Sequence, residues 1–237
     1  MKVLYTMTAM LLVAFFSINT SKAQLSEEAE KLTPDFPGEI RIDLGFNALH
    51  KDEASSWWRS RSFGVYFVKT YELTDRIEFR PSIGWGSEKL APKKRLLNDY
   101  DSVFMNDESL VINTPDTTRL LKMTYAINYI DLPLTFRYSF KGHKQGGMFL
   151  ELGGQAGLRV ESHGKIKYET PNGKRTTLKA RSQSLNVSDV RYGVQGRFGI
   201  GAFSVFYKHY FSKLGTDFLL HDQEYNMSTI GISLSGF

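Results

Sequence analysis

The residue types that could carry out hydrolysis stand near the C-terminal end of the chain. His209, Ser212 and Glu224 offer a base, a nucleophile and an acid. A general base has to lie within hydrogen-bonding distance of the nucleophile that it activates. In an extended segment, residues three apart point to opposite faces, so this set assembles only if a bulge intervenes. A second chemistry is electrostatic. Arg41, Asp43, Glu78, Arg80, Asp131, Arg137, Glu151, Arg159, Arg191 and Arg197, with Lys208, fall on one face of successive alternating segments, which gathers charges of both signs. A third lies in residues 161–188, where Lys165, Lys167, Lys174, Arg175, Lys179 and Arg181 face only Glu161 and Glu169. Arg and Lys are phosphate partners, and the set reads either as a lipopolysaccharide contact or as a solvated hairpin. Histidines 50, 143, 163, 209 and 221 have no paired ligand spacing, so no metal is expected. The glycines at 84–86 and 153–157 resemble no phosphate loop, and no cofactor is expected.

These residues are set out by alternation with a period of two, the signature of strands. The clearest case is 125–160, two alternating arms flanking the break KGHKQGG. Ile130, Leu132, Leu134, Phe136 and Tyr138 share one face of the first arm, against Asp131, Thr135 and Arg137. In the second arm Met148, Leu150, Leu152, Ala156, Leu158 and Val160 oppose Glu151, Gln155 and Arg159. Similar alternation starts at Glu39, Ser62, Ile77, Val190, Phe203 and near Ile230, which makes eight candidate strands. Asn172-Gly173 favours a type I′ hairpin tip. Pro81 and Pro133 each remove a ladder donor, so a bulge or break is expected at both. Lys69 falls on the apolar side of its segment.

The N-terminus indicates the solvent. Lys2, the apolar stretch 3–18 and Ser21-Lys22-Ala23 read as a signal peptide over 1–23, cleaved after Ala23. The polar stretch 24–37 reads as a periplasmic tail, and 38–237 as a single barrel domain. The chain has no Cys, which removes disulfides and lipoprotein attachment. Of 30 basic and 25 acidic residues only Lys2 and Lys22 precede the cleavage point, and the remaining excess is too small to argue for nucleic acid. Beyond residue 23 no run approaches the roughly 18 apolar residues of a membrane helix. The mean hydropathy of −0.30 is compatible with a membrane barrel, in which only alternate residues meet lipid.

Alternation alone does not separate a membrane barrel from a soluble lipocalin-like one whose apolar face turns inward. Connections that alternate between short and long, aromatics near strand ends (Phe46, Trp85, Tyr138, Phe203) and a mixed-charge opposite face favour the membrane. The expectation is therefore an all-β fold, an eight-stranded antiparallel up-and-down transmembrane β-barrel with short periplasmic turns and long external loops. Phe237 fits the terminal aromatic of an insertion signal for the barrel-assembly machinery, though out of phase with Ile230, Ile232 and Leu234. The succession YELTDRIEFRPSIGW, YIDLPLTFRY, FLELGGQAGL, FSVFYKHYFSKLGTD and STIGISLSGF resembles the PorT-like outer-membrane β-barrel family over about Gly38 to Phe237. That resemblance implies an eight-stranded barrel in a diderm outer membrane. The secretion and gliding role linked to the founding member is not carried over.

The expected protein is a monomeric, non-enzymatic outer-membrane barrel with a structural or recognition role. Its partners would be outer-membrane lipids and lipopolysaccharide, and an envelope protein engaged through the 87–123 loop, whose 103–105 and 110–112 could pair as a small hairpin. Two alternatives stand beside it. One is a small passive channel lined by the interior charges, where a barrel this narrow more often holds a packed plug. The other is a lipid A deacylase-like barrel using His209 and Ser212. In that family the two residues stand two apart, whereas here they stand three apart.

Overall fold

The computed structural model describes residues 38–50, 58–91, 119–141, 147–169, 172–181, 187–214 and 225–236. Its strands are β1 (Glu39–His50), β2 (Arg61–Val68), β3 (Tyr71–Glu72), β4 (Ile77–Leu90), β5 (Arg119–Ser139), β6 (Met148–Glu169), β7 (Arg175–Arg181), β8 (Val190–Ile200), β9 (Phe203–Tyr210) and β10 (Asn226–Ser235). Eight of them lie edge to edge in the order β2-β1-β10-β9-β8-β6-β5-β4. β4 then returns to β2 through the register Val65↔Trp85, which closes an antiparallel barrel. The two-residue β3 only edges β4, and β7 pairs with β6 alone among the described strands.

The alternation decides which face is which. Ile130, Leu132, Leu134 and Phe136 on β5 are 49, 49, 44 and 53 % exposed, while Asp131 and Thr135 between them are fully buried. A soluble barrel of this sequence would show the reverse. The same inversion runs around the wall, through Leu44, Ile83, Leu152, Val194, Val205 and Ile232, all exposed. An apolar belt of that extent is what a membrane barrel presents to lipid. Aromatic side chains gather at both rims. Phe79 lies 5.1 Å from Phe136 at the short-turn end, and at the other end Phe63 lies 6.0 Å from Trp85 and Phe46 stacks on Trp58 at 5.5 Å.

Several local expectations are corrected. The prolines bring a local break and no bulge: the β4–β5 ladder passes from Pro81↔Leu134 directly to Gly84↔Asp131, with its register unchanged. Pro133 falls in that gap and Pro81 borders it; there the Ser82 hydroxyl donates to the Pro133 carbonyl (3.3 Å) and the Lys69 N–H to that of Pro81 (3.0 Å). The register shifts lie elsewhere, at Leu120/Lys122 and where Asn128↔Glu161 gives way to Tyr129↔Arg159, leaving Val160 as the extra residue. Lys69 is no blemish, because β2 ends at Val68.

Both ends of the first expected loop and most of the second are strand. β4 runs to Leu90 and β5 starts at Arg119, so the 87–123 segment is shorter than its expected bounds, and its 103–105 and 110–112 lie outside the described residues. In 161–188, β6 continues to Glu169 and β7 follows. Glu169 pairs with Arg175, so five residues connect them instead of a two-residue tip, with Gly173 at a φ of +72°. At 21 and 22 residues, β5 and β6 far exceed the roughly 9–11 that a tilted strand needs to cross a bilayer, and they stand well beyond the wall. The proposed signal peptide (1–23), tail (24–37) and Phe237 lie outside the described residues.

Leu134 sits mid-belt on β5, so Leu134→Lys tests the outward orientation. Folding into phosphatidylcholine vesicles, followed against urea, should lose about 2–4 kcal/mol of stability. An unchanged midpoint would turn that face away from lipid.

Candidate functional site

One network inside the barrel draws on every strand of the wall. Its centre is Asp43 on β1. Arg197 on β8 donates to both carboxylate oxygens, Nη1 to Oδ1 at 2.9 Å and Nη2 to Oδ2 at 2.7 Å. Lys208 Nζ on β9 lies 2.9 Å from Oδ2, and the Ser233 hydroxyl on β10 donates to Oδ1 at 2.7 Å. Glu151 on β6 is a second hub. It accepts from the Thr135 hydroxyl (2.9 Å) and from Arg137 Nε and Nη2 (3.3 and 3.2 Å), both on β5. Arg41, Arg80 and Arg197 approach it at 3.5–3.6 Å. Arg80 on β4 also pairs with Glu39, and Glu78 stands opposite Arg137 in register.

A second cluster lies toward the long-connection end. Arg191 on β8 holds Asp131 on β5 in a fork, Nε to Oδ1 at 3.0 Å and Nη2 to Oδ2 at 2.6 Å, and reaches Glu88 at 3.0 Å through Nη1. Asn47 donates to Glu88 (2.7 Å) and accepts from the Thr229 hydroxyl (2.7 Å). The Arg191 guanidinium lies over the rings of Tyr129 (3.9 Å) and Tyr210 (4.6 Å), where cation–π attraction adds to the ion pair. The Tyr66 hydroxyl on β2 joins the clusters, donating to Asp131 (3.2 Å) and accepting from Lys208 (3.1 Å). Gly157 makes room for the fork: a Cβ there would stand 2.2 Å from Asp131 Oδ1.

Nine of the ten expected interior charges thus line the lumen. Arg159 is placed apart. It binds Asp189 at the rim and the Ser162 hydroxyl (2.9 Å), because the β6–β8 ladder ends at Leu158↔Val190 and the Val160 bulge follows. Sequence reasoning missed Glu88 by ending the strand at Trp85, although the alternation continues through Gly86 to Glu88. Tyr66 and Asn47 share the phase of the interior charges, but like Thr229 they carry no charge signal that would place them in the network. Lys165, Lys167, Lys174 and Arg175 lie exposed on and around the β6–β7 hairpin, with Arg175 Nε 3.7 Å from Glu169.

Of the alternative hydrolytic set, the two described residues are engaged separately. His209 Nδ1 lies 2.8 Å from the Ser228 hydroxyl, its cross-strand partner, which also contacts the Tyr207 hydroxyl at 3.0 Å. The Ser212 hydroxyl accepts the Tyr192 N–H at 3.1 Å, and Glu224 lies outside the described residues.

Comparison with known proteins gives one family match and several distant structural likenesses. The model of one family, described as an outer membrane protein beta-barrel domain, matches residues 23–221. Among solved structures, Ail, the attachment invasion locus protein of Yersinia pestis, is 16 % identical, with a TM-score of 0.35 over 85 % of this chain and 100 % of its own. Neisserial surface protein A is 10 % identical, with a TM-score of 0.39 over 84 % and 97 %. The N-terminal β-barrel domain of Pseudomonas aeruginosa OprF is 12 % identical, with a TM-score of 0.28 over 84 % and 99 %. No curated protein matches the chain.

Removing one partner of a buried ion pair leaves the other charge uncompensated. Asp43→Asn strands Arg197 and Lys208 and should cost about 3–5 kcal/mol, read as a lower urea midpoint for the fast-migrating, unboiled gel band. Asp189→Asn removes the exposed partner of Arg159 and should shift that midpoint by less than about 1 kcal/mol.

Proposed function

The chain belongs to the outer-membrane β-barrel domain family, and from that premise we propose that it is a non-conducting, non-enzymatic recognition protein working through its extended strands. The observation that carries this reading is the filled lumen. Hydrogen bonds and ion pairs from Asp43 and Glu151 cross the barrel to side chains of the other strands, and Arg191 caps them under two tyrosine rings. Barrels of eight strands have room inside only for their own side chains. Recognition then falls to what stands outside the wall, namely the upper parts of β5 and β6, the β6–β7 hairpin, and any envelope protein engaged by 87–123.

The short turns face the periplasm in this reading, as in other outer-membrane barrels. Export by a cleaved leader over 1–23 and insertion by the barrel-assembly machinery complete it. The likeness to PorT-like barrels is compatible with an envelope complex. The set His209, Ser212 and Glu224 does not favour deacylation, since His209 and Ser212 have separate partners.

Planar lipid bilayers distinguish plug from channel. The purified protein should give no unitary conductance steps. Steps whose size or ion preference changes in Arg80→Ala or Arg137→Ala would establish the channel and overturn the recognition reading.

A further inference from the structure

The outer face of the extended strands carries an arrangement that folding alone does not favour. Across neighbouring strands, Arg61 stands directly opposite Lys89, Lys122 opposite Lys167, and Lys165 opposite Lys179. All six project outward from the contiguous sheet β2-β4-β5-β6-β7. Like charges directly opposite each other destabilise a sheet, and here this happens in three places on one wall.

Among the described residues, none of the six has a carboxylate partner. The acids of the same region are engaged: Glu169 with Arg175, and Glu161 with Asn128. Loss of water, then the charges of Lys89, Arg59, Lys167 and Lys165, push the Lys122 ammonium below its usual pKa, so these cations sense one another. The cost is relieved when an anion enters among them.

The position of the wall identifies the anion. Directly below it the apolar belt begins, with Phe63, Trp85 and Val160 exposed. A ligand fitting both surfaces has hydrocarbon chains along the belt and negative groups at the height of the lysines. Phosphate suits them, because Lys binds it as a point charge and Arg in a fork.

We propose that this cationic wall is the docking site for the phosphate groups of phosphorylated lipids in the surrounding leaflet. The inference deepens the recognition reading and rests on it. It also widens the four candidate lipopolysaccharide contacts on the hairpin into a surface built across five strands.

The test uses the full mature protein in neutral detergent, titrated with diphosphoryl lipid A and followed by native mass spectrometry. Lys122→Gln/Lys165→Gln/Lys167→Gln should weaken lipid binding by at least about tenfold, since several charge-assisted contacts are lost. The fast-migrating unboiled band should persist, because the substitutions remove repulsion. Lys69→Gln/Arg76→Gln/Lys141→Gln, at the short-turn end, removes equal charge and should bind as wild type does. Equal weakening in that control, unchanged binding in the first triple variant, or equal binding of dephosphorylated lipid would overturn the proposal. Displacement by inorganic phosphate alone would also overturn it, in favour of a free-anion site. Conductance in the wild type would instead defeat the closed-lumen reading and leave this measurement standing.

Discussion

A charge enclosed by a lipid-facing wall has to find its countercharge inside that wall, and this constraint governs the barrel. Asp43 satisfies it with Arg197, Lys208 and Ser233, each from a different strand. Bulk water does not screen a fully buried carboxylate, and an isolated one would be very costly. The partners therefore have to converge to within hydrogen-bond distance, which fixes the stagger of the strands that carry them. Slippage of one residue along β8 or β9 would turn Arg197 or Lys208 toward lipid and Phe198 or Tyr207 into the lumen. Register is thus held at once by the apolar belt outside and the ion network inside.

The two ends of the barrel have different characters. At the short-turn end the wall closes with compact connections such as Gly201-Ala202 between Ile200 and Phe203. At the other end β5 and β6 continue past the last β6–β8 pair, Leu158↔Val190, and leave the barrel surface. The Val160 bulge marks the departure. Beyond it the outward positions change from Leu and Val to Lys165 and Lys167, so the same two strands first serve as membrane wall and then as a water-facing sheet. A fold that fills its lumen keeps its variable chemistry on such projections.

The fold was largely legible in the sequence because a period of two survives wherever one face meets lipid and the other a packed interior. Ile130 to Tyr138 shows it, as does Phe203 to Tyr207. Legibility failed where the faces ceased to differ. Above the belt neither face of β6 keeps a continuous apolar stripe, since Ser162 and Gly164 interrupt the phase shared by Ile166 and Tyr168, so 161–169 read as loop although the chain stays extended. The reading of β4 stopped at Trp85 because Ser87 and Lys89 take the outward positions, and Glu88 was lost with it. The interior charges announced themselves by type and phase, but Arg159 carried the same signal without the same fate. Its separation depends on where β8 begins, which lies 31 residues away in the ladder Leu158↔Val190 and leaves no trace near position 159. The convergence of prolines 81 and 133 on a single break in the ladder was hidden for the same reason: it is a property of the pairing of two strands.

The network also bears on how the chain reaches its native state. β1 and β10, the first and last strands, meet along one seam, and the bond from Ser233 to Asp43 crosses it. Until that seam shuts, the sheet is open and Asp43 lacks part of its shell, so the partly assembled wall carries charge that a hydrocarbon phase rejects. The arginine and lysine face can be stripped of water only as the cylinder forms. Insertion and closure are therefore a single cooperative event, timed by the arrival of the final ten residues of strand and not by the hydrophobicity of any segment that precedes them.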